Sequence, residues 1–128
     1  MSVKYHVIQR GNPLDQAAPK KFFASFSSNG EITLKRLSER IAQISTVSRT
    51  DTLAVLTALL EVVPQELTEG QTVRLGDLGS FSINISSEGS DTADKVTAAN
   101  IRGAKVVFRP GKELKDAMKT IQYEKEAE

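Results

Sequence analysis

Apolar and polar residues alternate along three stretches in the second half of the chain, and each stretch predicts a β-strand. Their apolar members are Val73, Leu75, Phe81, Ile83, Ile85, Ala104, Val106 and Phe108. A turn at Gly76-Asp77-Leu78-Gly79 separates the first two strands, and Pro110-Gly111 ends the third. From Leu114 to Ile121 the apolar positions recur at helical spacing, so a helix is expected to close this region.

The first thirty residues predict a β-hairpin. Residues 4–9 alternate as in a strand, and Phe22, Phe23 and Phe26 lie in a second short strand that ends before Ser28-Asn29-Gly30. An isolated two-stranded hairpin is marginal in water. We therefore expect these phenylalanines to be partly buried and residues 1–30 to pack on the body of the protein as a β-extension.

Two helices are expected between the extension and the strands. Thr33 is placed to cap the first, and Ser48 with Asp51 matches a capping box for the second. The second helix is apolar on almost every side, which one small chain cannot cover, so a partner subunit is expected on it. The predicted homodimer interface comprises Leu53, Leu56, Leu59, Leu60 and Val63, together with Phe81 and Phe108.

Two short motifs resemble a known family. Leu78-Gly79-Ser80-Phe81 resembles the Gly-Phe-Gly-x-Phe turn of the bacterial HU and integration host factor family, and residues 108–117, FRPGKELKDA, resemble its closing Phe-x-Pro-Gly-Lys-x-Leu-Lys signature. The second match is the more specific one. The resemblance covers roughly residues 31–121, and the first thirty residues are similar to the N-terminal addition of HU-related proteins from Bacteroides-type bacteria.

The resemblance implies an α+β fold of the HU/IHF type. The expected architecture is an intertwined dimer with two N-terminal helices, a three-stranded antiparallel sheet with an extended β-arm at about residues 86–100, and a C-terminal helix. Residues 31–128 then form one HU-like domain after the N-terminal β-extension. The family embraces duplex DNA in the minor groove with its arms. The implied location is the cytoplasm, at the nucleoid.

Local charge points to the returning strand and the last helix. The formal net charge is only +1, but residues 101–119 hold six basic and two acidic side chains. Together with the family match, this predicts DNA contacts at Arg102, Lys105, Arg109, Lys112 and Lys115, with Lys95, Lys20 and Lys21 as additions. Lys105 and Arg109 are expected on the strand face opposite Ala104, Val106 and Phe108.

The arm departs from the family pattern. DNA-bending members carry arginines there and a proline that wedges between base steps at the tip. Residues 86–100 contain neither, and three acids accompany the single base Lys95. Two functions therefore remain open: a histone-like homodimer that binds duplex DNA through phosphates with little sequence preference, and a structural or protein-interaction module on an HU-type scaffold with reduced or lost DNA binding.

Signals for other chemistry are weak. His6 is the only histidine, there is no cysteine, and no phosphate-binding or nucleophile motif occurs. No apolar run is long enough to span a bilayer. The sequence therefore predicts a protein that is not an enzyme, with no cofactor, no metal site, no small-molecule substrate and no membrane partner.

Overall fold

The computed structural model describes residues 2–127 and divides into two compact units. One unit is formed by residues 34–116. The other combines residues up to Thr33 with residues from Ala117 onward. Within residues 2–127, none of the helices has both the length and the apolar content needed to cross a membrane.

The unit of residues 34–116 begins with a pair of helices. Helix α1 spans Leu34–Gln43 and helix α2 spans Arg49–Thr68. The predicted cap of α2 is confirmed, because the Asp51 backbone N–H donates to Ser48 Oγ over 3.1 Å. The helix continues past Pro64 to Thr68.

Helix α2 leaves most of its apolar side chains exposed. In the described part of the chain, Leu67 is the one buried apolar side chain, at 6% exposure. Val55 and Leu60 remain 65% and 59% exposed. The single chain therefore has almost no enclosed apolar core around this helix.

Three antiparallel strands follow, in the order predicted from the sequence. They are β3 (Val73–Arg74), β4 (Gly79–Ser87) and β5 (Ile101–Pro110), with β4 in the centre. A 3₁₀ turn over Gly76–Leu78 joins β3 to β4. Phe81 lies opposite Phe108 in the register, and their ring centroids are 4.9 Å apart.

The two family-like motifs meet in space at the base of this sheet. Gly79 lies opposite Pro110, and the Gly111 N–H donates to the Leu78 carbonyl over 2.9 Å. Gly79 has φ of +150°, and a Cβ atom there would come within 2.6 Å of the Arg109 carbonyl oxygen. A Cβ atom at Gly111 would overlap the Asp77 carbonyl. Glycine is therefore required on both sides of this crossing.

The arm between β4 and β5 is locally folded. It contains two short 3₁₀ helices, Ala93–Lys95 and Ala98–Asn100. The Asn100 side chain closes the loop, because its Oδ1 accepts from the Thr97 N–H over 2.8 Å and its Nδ2 donates to Ser90 Oγ over 3.2 Å. Strand β4 extends to Ser87, so the first two residues of the predicted arm, Ser86 and Ser87, are strand rather than loop.

Helix α3 is shorter than predicted. It spans Lys112–Met118, whereas the spacing of apolar residues suggested a helix reaching Ile121. The Thr120 hydroxyl and N–H both donate to the Ala117 carbonyl, which ends the helix in a turn. As a result, Lys119 lies just beyond the helix.

The other unit is a three-stranded sheet built from both chain ends. Strands β1 (Val3–Arg10) and β2 (Lys21–Ser27) form the predicted antiparallel hairpin. Strand β6 (Tyr123–Lys125), which was not predicted, pairs in parallel with β1, giving the order β2-β1-β6. The Val3 N–H donates to the Gln122 carbonyl over 2.8 Å at one end of this pairing.

The expected partial burial of the phenylalanines in β2 is wrong for the single chain. Phe22, Phe23 and Phe26 are 68%, 45% and 69% exposed. The packing of residues 1–30 on the body stays a prediction, as does the assignment of residues 31–128 to one domain.

Candidate functional site

The strands β3, β4 and β5 carry polar side chains on one face of their sheet, which we call the polar face. In antiparallel strands, residues directly opposite each other project to the same side. Arg74 lies opposite Ser80, and Ser80 lies opposite Arg109, so one row crosses all three strands. Asn84 and Lys105 form a parallel row further along. This confirms that Lys105 and Arg109 share a face.

The opposite face of the same sheet is apolar. Its members are Val73, Phe81, Ile83, Ile85, Ala104, Val106 and Phe108. These residues alternate with those of the polar face along each strand, so every side chain is assigned by the register. Val106 is 64% exposed in the single chain, so much of this apolar face is not covered.

Three cations and no carboxylate lie on the polar face. Strand spacing puts Arg74 and Arg109 about 10 Å apart at their Cα atoms, and Lys105 about 13 Å from Arg109 along β5. Within residues 2–127, these three side chains form no ion pair. The one apolar side chain that the structure describes on this face is Val107, which lies opposite Ser82 between Lys105 and Arg109 and is half-buried. The other positions of this face on β4 are serine and asparagine, which add neutral hydrogen-bonding groups.

Arg74 is a candidate that sequence reasoning missed. Strand β3 is only two residues long, so its alternation carries little information about direction. The signal becomes clear once the register with β4 is known, because Arg74 then extends the row of Ser80 and Arg109.

The other candidate cations lie at separate places. Lys112 is the first residue of α3, directly after the Gly79–Gly111 crossing, and Lys115 is in its last turn; both are exposed. Lys20 and Lys21 lie in the other unit, where Lys21 is opposite Arg10. Lys95 lies in the arm.

Acidic side chains dominate the arm. Arg102 forms a 3.8 Å ion pair with Glu88, and both side chains are largely exposed, so the pair is weak. A hydrogen bond from Thr92, followed by a backbone hydrogen bond, holds the pKa of Asp94 below its usual value. Asp94 directly precedes Lys95 in the chain, so a negative charge adjoins the one cation at the tip of the arm.

The predicted dimer-interface residues are apolar side chains without full cover in the single chain. Leu53, Leu56 and Val63 on α2 are half-buried, and Leu59 is 39% exposed. Phe108 is partly exposed on the apolar face of the sheet. In the described part of the chain, no three His, Cys, Asp or Glu side chains come together as a metal site.

Comparison with solved structures finds several similar chains, and for two of them the similarity is as follows. A protein from Bacteroides vulgatus, named as a candidate bacterial DNA-binding protein, matches 97% of this chain with a TM-score of 0.67 and 18% identity. The match covers 47% of that protein, so the chain spans less than half of its length. HU from Anabaena, crystallised with DNA, matches 70% of this chain and 98% of its own, with a TM-score of 0.49 and 21% identity.

Curated protein sequences give no match to this chain. A family model does, and it describes an HU domain fused to a winged helix-turn-helix, an immunoglobulin or a glycine-rich motif. The match extends over residues 1–125 and so includes the N-terminal hairpin as well as the sheet with the polar face. The chain therefore belongs to this family of fused HU domains.

Proposed function

We propose that the chain is an architectural, histone-like protein of the nucleoid that binds duplex DNA as a homodimer with little sequence preference. The observation that carries the proposal is the polar face, with Arg74, Lys105 and Arg109 and no carboxylate. Membership of a family of HU domains supports it. So does the fold shared with the Bacteroides vulgatus protein.

The layout of the polar face suits an extended polyanion. Cations whose backbones are about 10 to 13 Å apart meet separate charges along a phosphate backbone more readily than one small anion. Arginine and lysine contacts to phosphate position a protein on DNA without reading its sequence. Lys112 and Lys115 are the proposed extension of this surface along α3, with Arg102, Lys95, Lys20 and Lys21 as further contacts.

The homodimer is supported by the uncovered apolar surface of α2. Burying exposed side chains such as Val55 and Leu60 would be worth on the order of 1.5 to 3 kcal/mol each. A second copy that packs its own α2 against this surface would cover both helices with one contact. It would also double the number of cations that face DNA.

The test is a titration of duplex DNA at several salt concentrations with Arg74→Ala/Arg109→Ala. The logarithm of affinity falls with the logarithm of salt by about 0.9 per phosphate contact. The double variant should therefore reduce the magnitude of this slope by about two per subunit, equally on unrelated duplexes. The matched control is Lys4→Ala/Lys125→Ala, which removes two exposed cations of the other unit and should leave the slope unchanged.

A structural or protein-interaction module is the second candidate function. The observation that favours it is the acidic arm, where Glu88 is paired with Arg102 and residues 86–100 hold three acids and one base. The same titration separates the two functions. Absence of duplex binding by the unmodified chain even at low salt would eliminate the DNA-binding proposal and leave the interaction module.

A further inference from the structure

Within residues 2–127, no strand pairs with the outer edge of β2, and the apolar face of this strand is exposed. It is the outer strand of the β2-β1-β6 sheet, and Lys21 is its only charged residue. Edge strands commonly carry charges, prolines or bulges that prevent further pairing. The stretch from Phe22 to Ser27 contains no charged residue and no proline, so its edge is open to another strand.

The register of the sheet collects aromatic residues on one face. Phe22 lies opposite Gln9, Phe26 opposite Tyr5, and Tyr123 of β6 opposite Val3. Tyr123 is 67% exposed, similar to Phe22 and Phe26. This face of the unit is therefore an aromatic surface that continues up to the free β2 edge.

The sequence of β2 is self-complementary about Ala24. When two antiparallel copies are centred there, Phe22 of each lies opposite Phe26 of the other, on the aromatic face. Centring the pair on Phe23 instead would leave one aromatic pair, between the two copies of Phe23, and centring it on Ser25 would leave none. Aromatic cross-strand pairs stabilise a sheet by roughly 0.2 to 1 kcal/mol each, and this arrangement makes two of them.

Charge complementarity favours the same register on the other face. His6 Nδ1 lies 2.7 Å from Ser27 Oγ, which in turn donates to Glu126 Oε2 over 2.9 Å. Centring on Ala24 puts Lys21 of the second copy opposite Ser27, and therefore beside the Glu126 carboxylate. The symmetry makes this contact twice, so the only charge on β2 meets an opposite charge.

We propose that β2 is a self-association surface, through which two copies pair antiparallel about a two-fold axis at Ala24 into one six-stranded sheet. The pairing uses the residues of one unit only. A consequence that rests on the proposed function is that α2 and β2 would each form a two-fold contact. Two such contacts on one chain would link homodimers into a row, suited to coating a long DNA duplex.

The sharpest test is disulfide trapping, because the chain has no cysteine of its own. Ala24→Cys puts two thiols directly opposite each other at the axis, within the distance that a disulfide requires. Ser25→Cys is the matched control, since it lies opposite Phe23 and is too far from its own copy. Mild oxidation of the full chain without DNA should cross-link the first variant and not the second. Equal cross-linking of both, or of neither, would overturn the proposal.

Charge reversal tests the same register in solution. Lys21→Glu should raise the dissociation constant of this contact about tenfold, because two exposed attractive pairs become repulsive. Adding Glu126→Lys should restore it, as measured by sedimentation velocity over a dilution series. An unaffected single variant, or a double variant that remains weak, would refute the pairing.

The outcomes also distinguish this proposal from the DNA-binding function. Cross-linking at Ala24 in a chain that does not bind duplex DNA would leave the self-association and remove the function. Duplex binding without cross-linking would leave the DNA-binding function and remove the self-association.

Discussion

Gly79→Ala should destabilise the protein strongly, because two independent features of the structure exclude a side chain there. The backbone has φ of +150°, a conformation that residues with a Cβ atom rarely adopt. A Cβ atom would also lie 2.6 Å from the Arg109 carbonyl oxygen and 2.7 Å from Phe108 Cζ. Gly79 is buried, so neither contact can move freely into solvent.

The expected magnitude follows from these two terms. A residue in an unfavourable backbone region costs about 1 to 3 kcal/mol, and overpacking a filled site costs a similar amount. The free energy of unfolding should fall by about 2 to 6 kcal/mol. For a domain of this size, that lowers the melting temperature by at least about 6 °C.

Gly103→Ala is the matched control. Gly103 lies on β5 opposite Ser86, and a Cβ atom there meets no atom within 4 Å. The same chemical change in the same sheet should alter stability by less than about 1 kcal/mol. Thermal unfolding of both variants is followed by circular dichroism at the same protein concentration, since association makes the melting temperature depend on concentration. Equal melting temperatures for the two variants would refute the steric argument.

Two further predictions concern association and the arm. Leu59→Asp puts a carboxylate on the exposed apolar surface of α2, and burying it in the dimer should cost several kcal/mol of free energy. Sedimentation should detect this as dissociation or unfolding. If the unmodified chain were a folded monomer, the dimer would be contradicted. Deleting Gly89–Thr97 removes Asp91 and Asp94 with only Lys95, so duplex affinity in a binding titration should stay constant or rise. A large loss of affinity would mean that the arm, not the polar face, carries the binding surface.

Strands and helices of this chain could be predicted wherever apolar residues recur with one constant spacing over several residues. The hairpin of β1 and β2, the cap of α2 and the three strands from Val73 to Pro110 were all predictable in this way. Strand β6 was not, because three residues following a helix have too little alternation to indicate a strand. Its parallel pairing with β1 is a contact between residues about 120 positions apart, which local patterns do not contain.

Part of the candidate site was predictable from alternation along one strand, and part of it depended on pairing between strands. Alternation along β5 was enough to put Lys105 and Arg109 on one face. Finding Arg74 required the pairing of β3 with β4, since only the register brings it into the row with Ser80 and Arg109. The exposure of Phe22 and Phe26 was also beyond the sequence. Their spacing indicates a strand, but it does not tell whether another layer covers it.

The uncharged residues of the two motifs determine on which face of the sheet the cations lie. Because side chains alternate along a strand, a slip of one residue between β4 and β5 would move Lys105 and Arg109 to the apolar face. The crossing of Gly79 with Pro110 and Gly111 prevents that slip, since the close approach fits only when glycine meets the opposing backbone. The Phe81–Phe108 pair holds the same register two residues further along each strand. The glycine and proline residues of the motifs therefore fix which face of the sheet is cationic. In the proposed function, they set the position of the cations that bind DNA phosphates, although they do not contact DNA themselves.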